Sequence, residues 1–275
     1  MGALAQGHFI TVAQGLLLHY RDVGAGEPVI FVHGSGPGAS GHGNFKQNYP
    51  VFAAAGFRTI VPDLPGYGAS DKPDTLYTLD FFVAALSGLL DALDIQRCVL
   101  VGNSLGGAIA IKLALDQPQR VSRLVLMAPG GLMEKEQYYL QMEGIQKMGA
   151  AFARGELHDA GGMRRLLALQ LFDESLISDE TVNERVAVVR QQPDCVLSTM
   201  QVPDMTSRLG ELKCPILGFW GMNDKFCPAF GVQTMMQHCQ KIRFVLLSEC
   251  GHWVMVEHRE LFNRECLAFF QEAQR

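Results

Sequence analysis

The sequence predicts an α/β protein with a mostly parallel central sheet flanked by helices. Three observations carry that prediction. Short β-branched and apolar runs alternate with stretches of helical apolar spacing; the alternation lapses once, over a long interval rich in Met, Leu, Gln and Arg; and glycine-bearing loops follow several of the apolar runs. Six runs have the length and composition of buried strands: Val29 to His33, Thr59 to Pro62, Cys98 to Gly102, Arg123 to Met127, Pro215 to Trp220 and Arg243 to Leu247. Leu79 to Leu93 and Ala108 to Leu115 have helical spacing, and strand, helix and strand in succession imply right-handed crossovers between parallel neighbours. The stretch up to Tyr20 is expected to add antiparallel edge strands, and Leu261 to Phe270 to close the chain as an amphipathic helix. From Gly130 to about Leu212 the periodicity is helical without a convincing strand. The expected organisation is therefore one core domain, residues 1–130 and 213–275, interrupted by a helical lid over 131–212.

Composition narrows the function classes. With 275 residues, 48% hydrophobic and 19% charged, the chain can bury a large interior and lacks the signature of disorder. A formal charge of -5 speaks against a surface that tracks phosphates, so nucleic acid is not an expected partner. No apolar stretch approaches a bilayer span, and Met1 to Gln14 has neither a basic segment nor a long apolar one, so neither membrane insertion nor export is expected. Seven scattered cysteines, never paired as C-x-x-C, suit a reducing, cytoplasmic setting. No metal-ligand spacing and no phosphate-binding loop occurs, so neither a metal nor another cofactor is expected.

The chemistry is concentrated at three strand ends. Gly102-Asn103-Ser104-Leu105-Gly106 follows an apolar run and opens a helix, the context of a nucleophile elbow, in which the flanking glycines permit the tight turn that lifts the serine out of the sheet. A serine hydroxyl needs a base to take its proton and a carboxylate to fix the base's tautomer. Asp224 and His252 lie just after the last two strand runs, and the order Ser, Asp, His is that of the α/β-hydrolase fold. His33-Gly34-Ser35-Gly36-Pro37-Gly38 follows the first run, and its glycines allow close backbone approach; the amides of Ser35 and Leu105 are the candidate oxyanion donors.

Taken together, these motifs resemble the meta-cleavage product hydrolases of bacterial aromatic catabolism. The resemblance runs nearly end to end and rests on His33 to Ala39 with Asn44, on Gly102 to Gly107, on Asp224-Lys225-Phe226 with Pro228, and on Cys250 to Trp253 with Glu257-His258. It implies an α/β-hydrolase fold and hydrolysis of a carbon–carbon bond in a 2-hydroxy-6-oxo-hexa-2,4-dienoate, giving 2-hydroxypenta-2,4-dienoate and a carboxylic acid. It places Ser104, Asp224 and His252 at the catalytic positions, and implies substrate contacts by Gly34, Ser35, Gly36, Asn44, Asn103, Arg185, Trp253 and the lid residue Phe172. It also implies a homodimer or larger homo-oligomer. Two departures stand out: His42 where many relatives carry tryptophan, and Asn223 where a second aspartate is common. A solvated loop histidine is the expectation for His42.

Residue context leaves other readings open. Arg185 beside Glu184 suits a surface ion pair as well as a carboxylate clamp, Asn103 suits satisfaction of backbone groups, and Trp253 suits packing. Among the lid's apolar residues Met142, Met148, Leu166, Leu171, Phe172 and Met205, pocket lining competes with plain packing. A carboxylesterase would need the triad but not the asparagines or Arg185, and a non-catalytic binding protein would need neither. The sequence leaves open whether Ser104 attacks the substrate or activates water, and which substituent C6 bears.

Overall fold

The computed structural model describes residues 6–12 and 15–272. Met1 to Ala5, with Ala13 and Gln14, all within the N-terminal segment read above for export signals, lie outside the described residues. Among the described residues eight strands form one sheet in the order β1-β2-β4-β3-β5-β6-β7-β8. They are β1 (His8–Thr11), β2 (Leu17–Val23), β3 (Pro28–Val32), β4 (Arg58–Pro62), β5 (Cys98–Asn103), β6 (Val121–Met127), β7 (Ile216–Gly221) and β8 (Ile242–Leu247). β2 runs antiparallel to β1 and β4, and every other pairing is parallel.

Side-chain alternation along the central strands sorts the core into two layers. Ile30, Val32, Leu100, Leu124 and Leu126 face one layer, and Val29, Phe31, Val99, Val101 and Val125 face the other. Helices Leu79–Ala92 and Leu105–Asp116 cover the first face; helices Tyr49–Ala54 and Arg259–Gln271 cover the second. Cover on both sides is why the central stretches 29–32, 98–101, 124–127 and 216–220 are written as apolar runs. The expectation that Arg243 to Leu247 is equally buried is corrected: β8 is the outer strand, flanked by β7 alone, and Leu246 is half exposed.

β3 and β5 are adjacent, although the chain leaves β3 toward β4 and returns past it to β5. That reversal opens a crevice beyond the carboxyl ends of the two strands, the usual ligand position in an open α/β sheet. Over it lie the helices that connect β6 to β7: Lys135–Gln141, Glu143–Ala153, Ala160–Gln170, Asp179–Val189 and Cys195–Ser198. Asp159 and Ser178 cap two of them by accepting the N–H groups of Gly162 and Thr181. Met163, Leu166, Leu167 and Val186 anchor this insertion on the second core layer.

Candidate active site

Ser104 joins β5 to helix Leu105–Asp116 with φ 55° and ψ -115°, a strained conformation for a residue with a side chain. The turn is so tight that a Cβ at Gly102 would run into the carbonyl of Gly106, and one at Gly106 into that of Val32. Only glycine fits either position. Ser104 consequently stands at the sheet's carboxyl edge, in a cavity that His252 also lines.

Asp224 divides its two oxygens between two tasks. Oδ1 accepts the N–H groups of Phe226 at 2.7 Å and Cys227 at 3.0 Å, which locks the carboxylate, and Oδ2 lies 2.7 Å from Nδ1 of His252. A carboxylate there holds the proton on Nδ1 and leaves Nε2 basic. His252 is held from its backbone as well, its N–H donating to the carbonyl of Gln170 in the insertion at 2.8 Å.

The loop after β3 is held by its carbonyls. Nδ1–H of His33 donates to the carbonyl of Gly34 at 2.8 Å, the Tyr67 hydroxyl to that of Ser35 at 3.0 Å, and Arg185 Nη1 to that of Pro37 at 3.2 Å. Nε2 of His33 accepts the N–H of Leu64 at 3.0 Å, so the ring is required neutral, and burial lowers its pKa to about 4. Unfolded, the ring would titrate near 6.5, so His33 favours the folded state fully above that pH and ceases to do so as pH falls toward 4. A loss on the order of 3 kcal/mol from this group is expected across that window. Urea unfolding at pH 7 and pH 4.5 checks it, and unchanged stability would mean that the folded ring accepts a proton freely.

The polar end of the cavity is built around Arg185, which is 3% exposed. Its Nη2 donates to Oδ1 of Asn44 at 3.0 Å, its guanidinium lies 4.6 Å from the centre of the Trp253 ring, and its Nε has no partner. Among the described residues no carboxylate lies within ion-pair distance of it, because neighbouring Glu184 pairs with Lys46 at 3.0 Å. Burial lowers the guanidinium pKa to about 10, which still leaves it cationic at neutral pH. A buried cation without a counter-ion costs several kcal/mol and is a site prepared for an anion. Nδ2 of Asn103 donates to the carbonyls of Met127 at 3.3 Å and His252 at 3.4 Å, while its buried Oδ1 has no partner. Gly34, Ser35, Gly36, Asn44, Asn103, Arg185 and Trp253 all line this compartment with Ser104 and His252. Ser104 also lines an adjoining cavity of about 350 Å³ whose walls include Tyr138, Met148, Phe152, Leu197, Met200 and Val202. The serine thus borders both a cationic compartment and an apolar one.

The α/β hydrolase fold family matches residues 27–259. A 2-hydroxy-6-oxo-6-phenylhexa-2,4-dienoate hydrolase of Burkholderia cepacia is 38% identical, with 95% of each chain covered. A 2-hydroxy-6-oxononadienedioate/2-hydroxy-6-oxononatrienedioate hydrolase of Comamonas testosteroni is 36% identical, again over 95% of each. The solved structure of a mutant meta-cleavage product hydrolase (CumD) from Pseudomonas fluorescens IP01, complexed with acetates, superposes with a TM-score of 0.85 at 30% identity, covering 98% of both chains. The chain belongs to the meta-cleavage product hydrolases.

For this meta-cleavage product hydrolase the structure sorts the residues named from sequence. Ser104, His252 and the polar set meet at one cavity, and Asp224 stands behind His252. Ser35 lines both compartments and Leu105 the apolar one. Arg185 is not a surface ion pair, and Asn103 satisfies backbone groups with one end only. Phe172 is corrected: its side chain is 49% exposed and lines neither compartment. Of the other apolar residues of the insertion, Met148 lines both compartments, whereas Met142, Leu166 and Met205 are packed in. His42 is not a solvated loop residue; it lies in helix Gly41–Phe45, half buried, 3.2 Å from the Tyr49 hydroxyl. Burial, reinforced by Arg21 and Lys46, lowers its pKa to about 4.

Sequence reasoning missed Gln170, Ile145, Phe226 and Cys227 as lining residues. Phe226 and Cys227 could have been found from their adjacency to Asp224, whereas no local signal marks the other two. It also left Glu257 without a task. One oxygen of Glu257 accepts the N–H groups of Phe172 at 2.7 Å and Asp173 at 3.1 Å, and the other accepts that of Gly251 at 2.7 Å. One carboxylate thereby ties the insertion to the loop carrying His252. Glu257→Gln, which replaces an acceptor oxygen with a donor, is expected to cost about 1–3 kcal/mol. Chemical denaturation measures this, and a change within error would show that the tie contributes little.

Proposed function

We propose that this hydrolase cleaves the C5–C6 bond of a 2-hydroxy-6-oxo-hexa-2,4-dienoate bearing a bulky, largely apolar C6 substituent. The observation that carries the reading is Arg185, a buried guanidinium without a carboxylate partner, separated by Ser104 from a large apolar cavity. The substrate has the same polarity from end to end: a carboxylate with its 2-hydroxyl at one end, a ketone in the middle, and an apolar group beyond it.

In this reading Arg185 and Asn44 hold the carboxylate, and Asn103 Oδ1 accepts from the 2-hydroxyl. A proton first moves from that hydroxyl to C5, which turns the dienol into a 2,6-diketone. His252 then takes the Ser104 proton as Oγ attacks the C6 carbonyl, and the amides of Ser35 and Leu105 receive the charge on its oxygen. When the C5–C6 bond breaks, its electron pair flows through C4 and C3 into the 2-oxo group, and protonation leaves 2-hydroxypenta-2,4-dienoate. Water, deprotonated by His252, releases the carboxylic acid from Ser104. The helices over 131–212 serve as a lid that separates the two compartments from bulk solvent. Seven free thiols support a reducing, cytoplasmic setting, and the family resemblance supports a homo-oligomer.

The test is loss of the dienoate chromophore across a panel of 6-alkyl, 6-aryl and 6-carboxyalkyl substrates, with p-nitrophenyl acetate alongside. The 6-aryl compound is expected to give the highest kcat/KM, and EDTA to leave the rate unchanged. Turnover of the ester alone would make the protein an esterase of the same fold.

A further inference from the structure

A third cavity, of about 230 Å³, lies behind the polar compartment and shares two of its walls, Asn44 and Trp253. It passes between Leu171, Ile177 and Val256 to a rim formed by Lys46, Leu176, Glu180 and Thr181. Leu176 and Glu180 are exposed, so the cavity ends at the surface. The mechanism makes no use of it.

The two products of C5–C6 cleavage are left on opposite sides of Ser104. The acid lies in the apolar compartment, which opens toward exposed Lys135 and Tyr139. The dienoate is left against Arg185. To leave by the same opening it would carry its carboxylate past Ile145, Met148 and Phe226, the apolar wall between the two compartments, while the acyl group still occupies Ser104. That opening stays occupied until the acyl group is hydrolysed, so the dienoate has no free path through it. The other wall is an amide and an indole, with the Lys46 ammonium beyond. That ammonium lies 3.0 Å from Glu184 and 3.3 Å from Glu180, two carboxylates for one cation, so the rim does not hold an anion that reaches it.

We propose that this cavity is a separate exit for the dienoate product, opened by movement of Trp253 off its Asn44 side. The inference rests on the C–C hydrolase reading. Its test plugs the rim at positions remote from the catalytic groups, with Thr181→Tyr and the double variant Leu176→Tyr/Thr181→Tyr. Binding of 2-hydroxypenta-2,4-dienoate is followed by stopped-flow quenching of tryptophan fluorescence, excited where tyrosine is silent; benzoate, as the acid product, serves as the control.

The dienoate's association and dissociation rates are expected to fall together by about five-fold or more, with Kd unchanged, because a gate alters rates without altering the site. Benzoate kinetics should not move. Unchanged dienoate rates in variants with native thermal stability would overturn the exit, as would equal slowing of both ligands, which signals a general effect on the lid. If the wild-type protein turns over no dienoate at all, the C–C hydrolase reading fails and the exit with it; if it does and the plugged rates are unmoved, only the exit fails.

Discussion

Ser104→Ala is expected to lower kcat by about 10⁴-fold or more for the dienoate and for p-nitrophenyl acetate alike. In the proposed mechanism both reactions need the same hydroxyl, presented by the same strained turn and served by the same His252. The substitution removes one oxygen and leaves the backbone donors, Arg185 and the apolar cavity in place, so the dienoate should still bind with little change in Kd. Asp224→Asn tests the other end of the relay. It is expected to cost about 10⁴-fold in kcat, because an amide facing Nδ1 no longer holds the tautomer that keeps Nε2 basic. Stopped-flow turnover and fluorescence titration together check both variants. Dienoate cleavage surviving Ser104→Ala while ester cleavage is lost would mean that the C–C bond is broken by activated water, without attack by the serine.

Arg185→Met should separate the two activities. Truncating a charged group that pairs with a buried carboxylate costs about 2–4 kcal/mol, or roughly 30- to 1,000-fold in kcat/KM. That loss is expected for the dienoate alone, since the acetate ester carries no carboxylate to place. Arg185→Lys should recover only part of it, because an ammonium keeps the charge but loses the planar fork and its stacking on Trp253. Equal losses on both substrates would assign Arg185 to holding the loop at Pro37 rather than the substrate.

Most of the architecture is legible along the chain, because it depends on local pattern. Buried parallel strands must be apolar on both faces, so Val29 to His33 or Cys98 to Gly102 can be read at sight; β8 misleads, since edge position follows from strand order rather than composition. The triad is legible because Ser104, Asp224 and His252 each follow a strand, and parallel strands bring their carboxyl ends to one edge. The insertion is legible only as helical. What its side chains do depends on how the helices lie across the crevice, and no local pattern encodes that. Phe172 and Arg185 both read as residues of the insertion, yet one faces solvent and the other is buried on Trp253. His42 likewise lies in a glycine-rich stretch, and only the fold shows that it is half buried in helix Gly41–Phe45 beside Tyr49. The sequence by itself determined the fold, the order of the triad and the class of chemistry, through periodicity and strand-end position. The tertiary structure alone decided that a cation with no carboxylate partner among the described residues and an apolar cavity both border Ser104, because both compartments are assembled from segments remote in sequence, and burial and pairing are properties of packing.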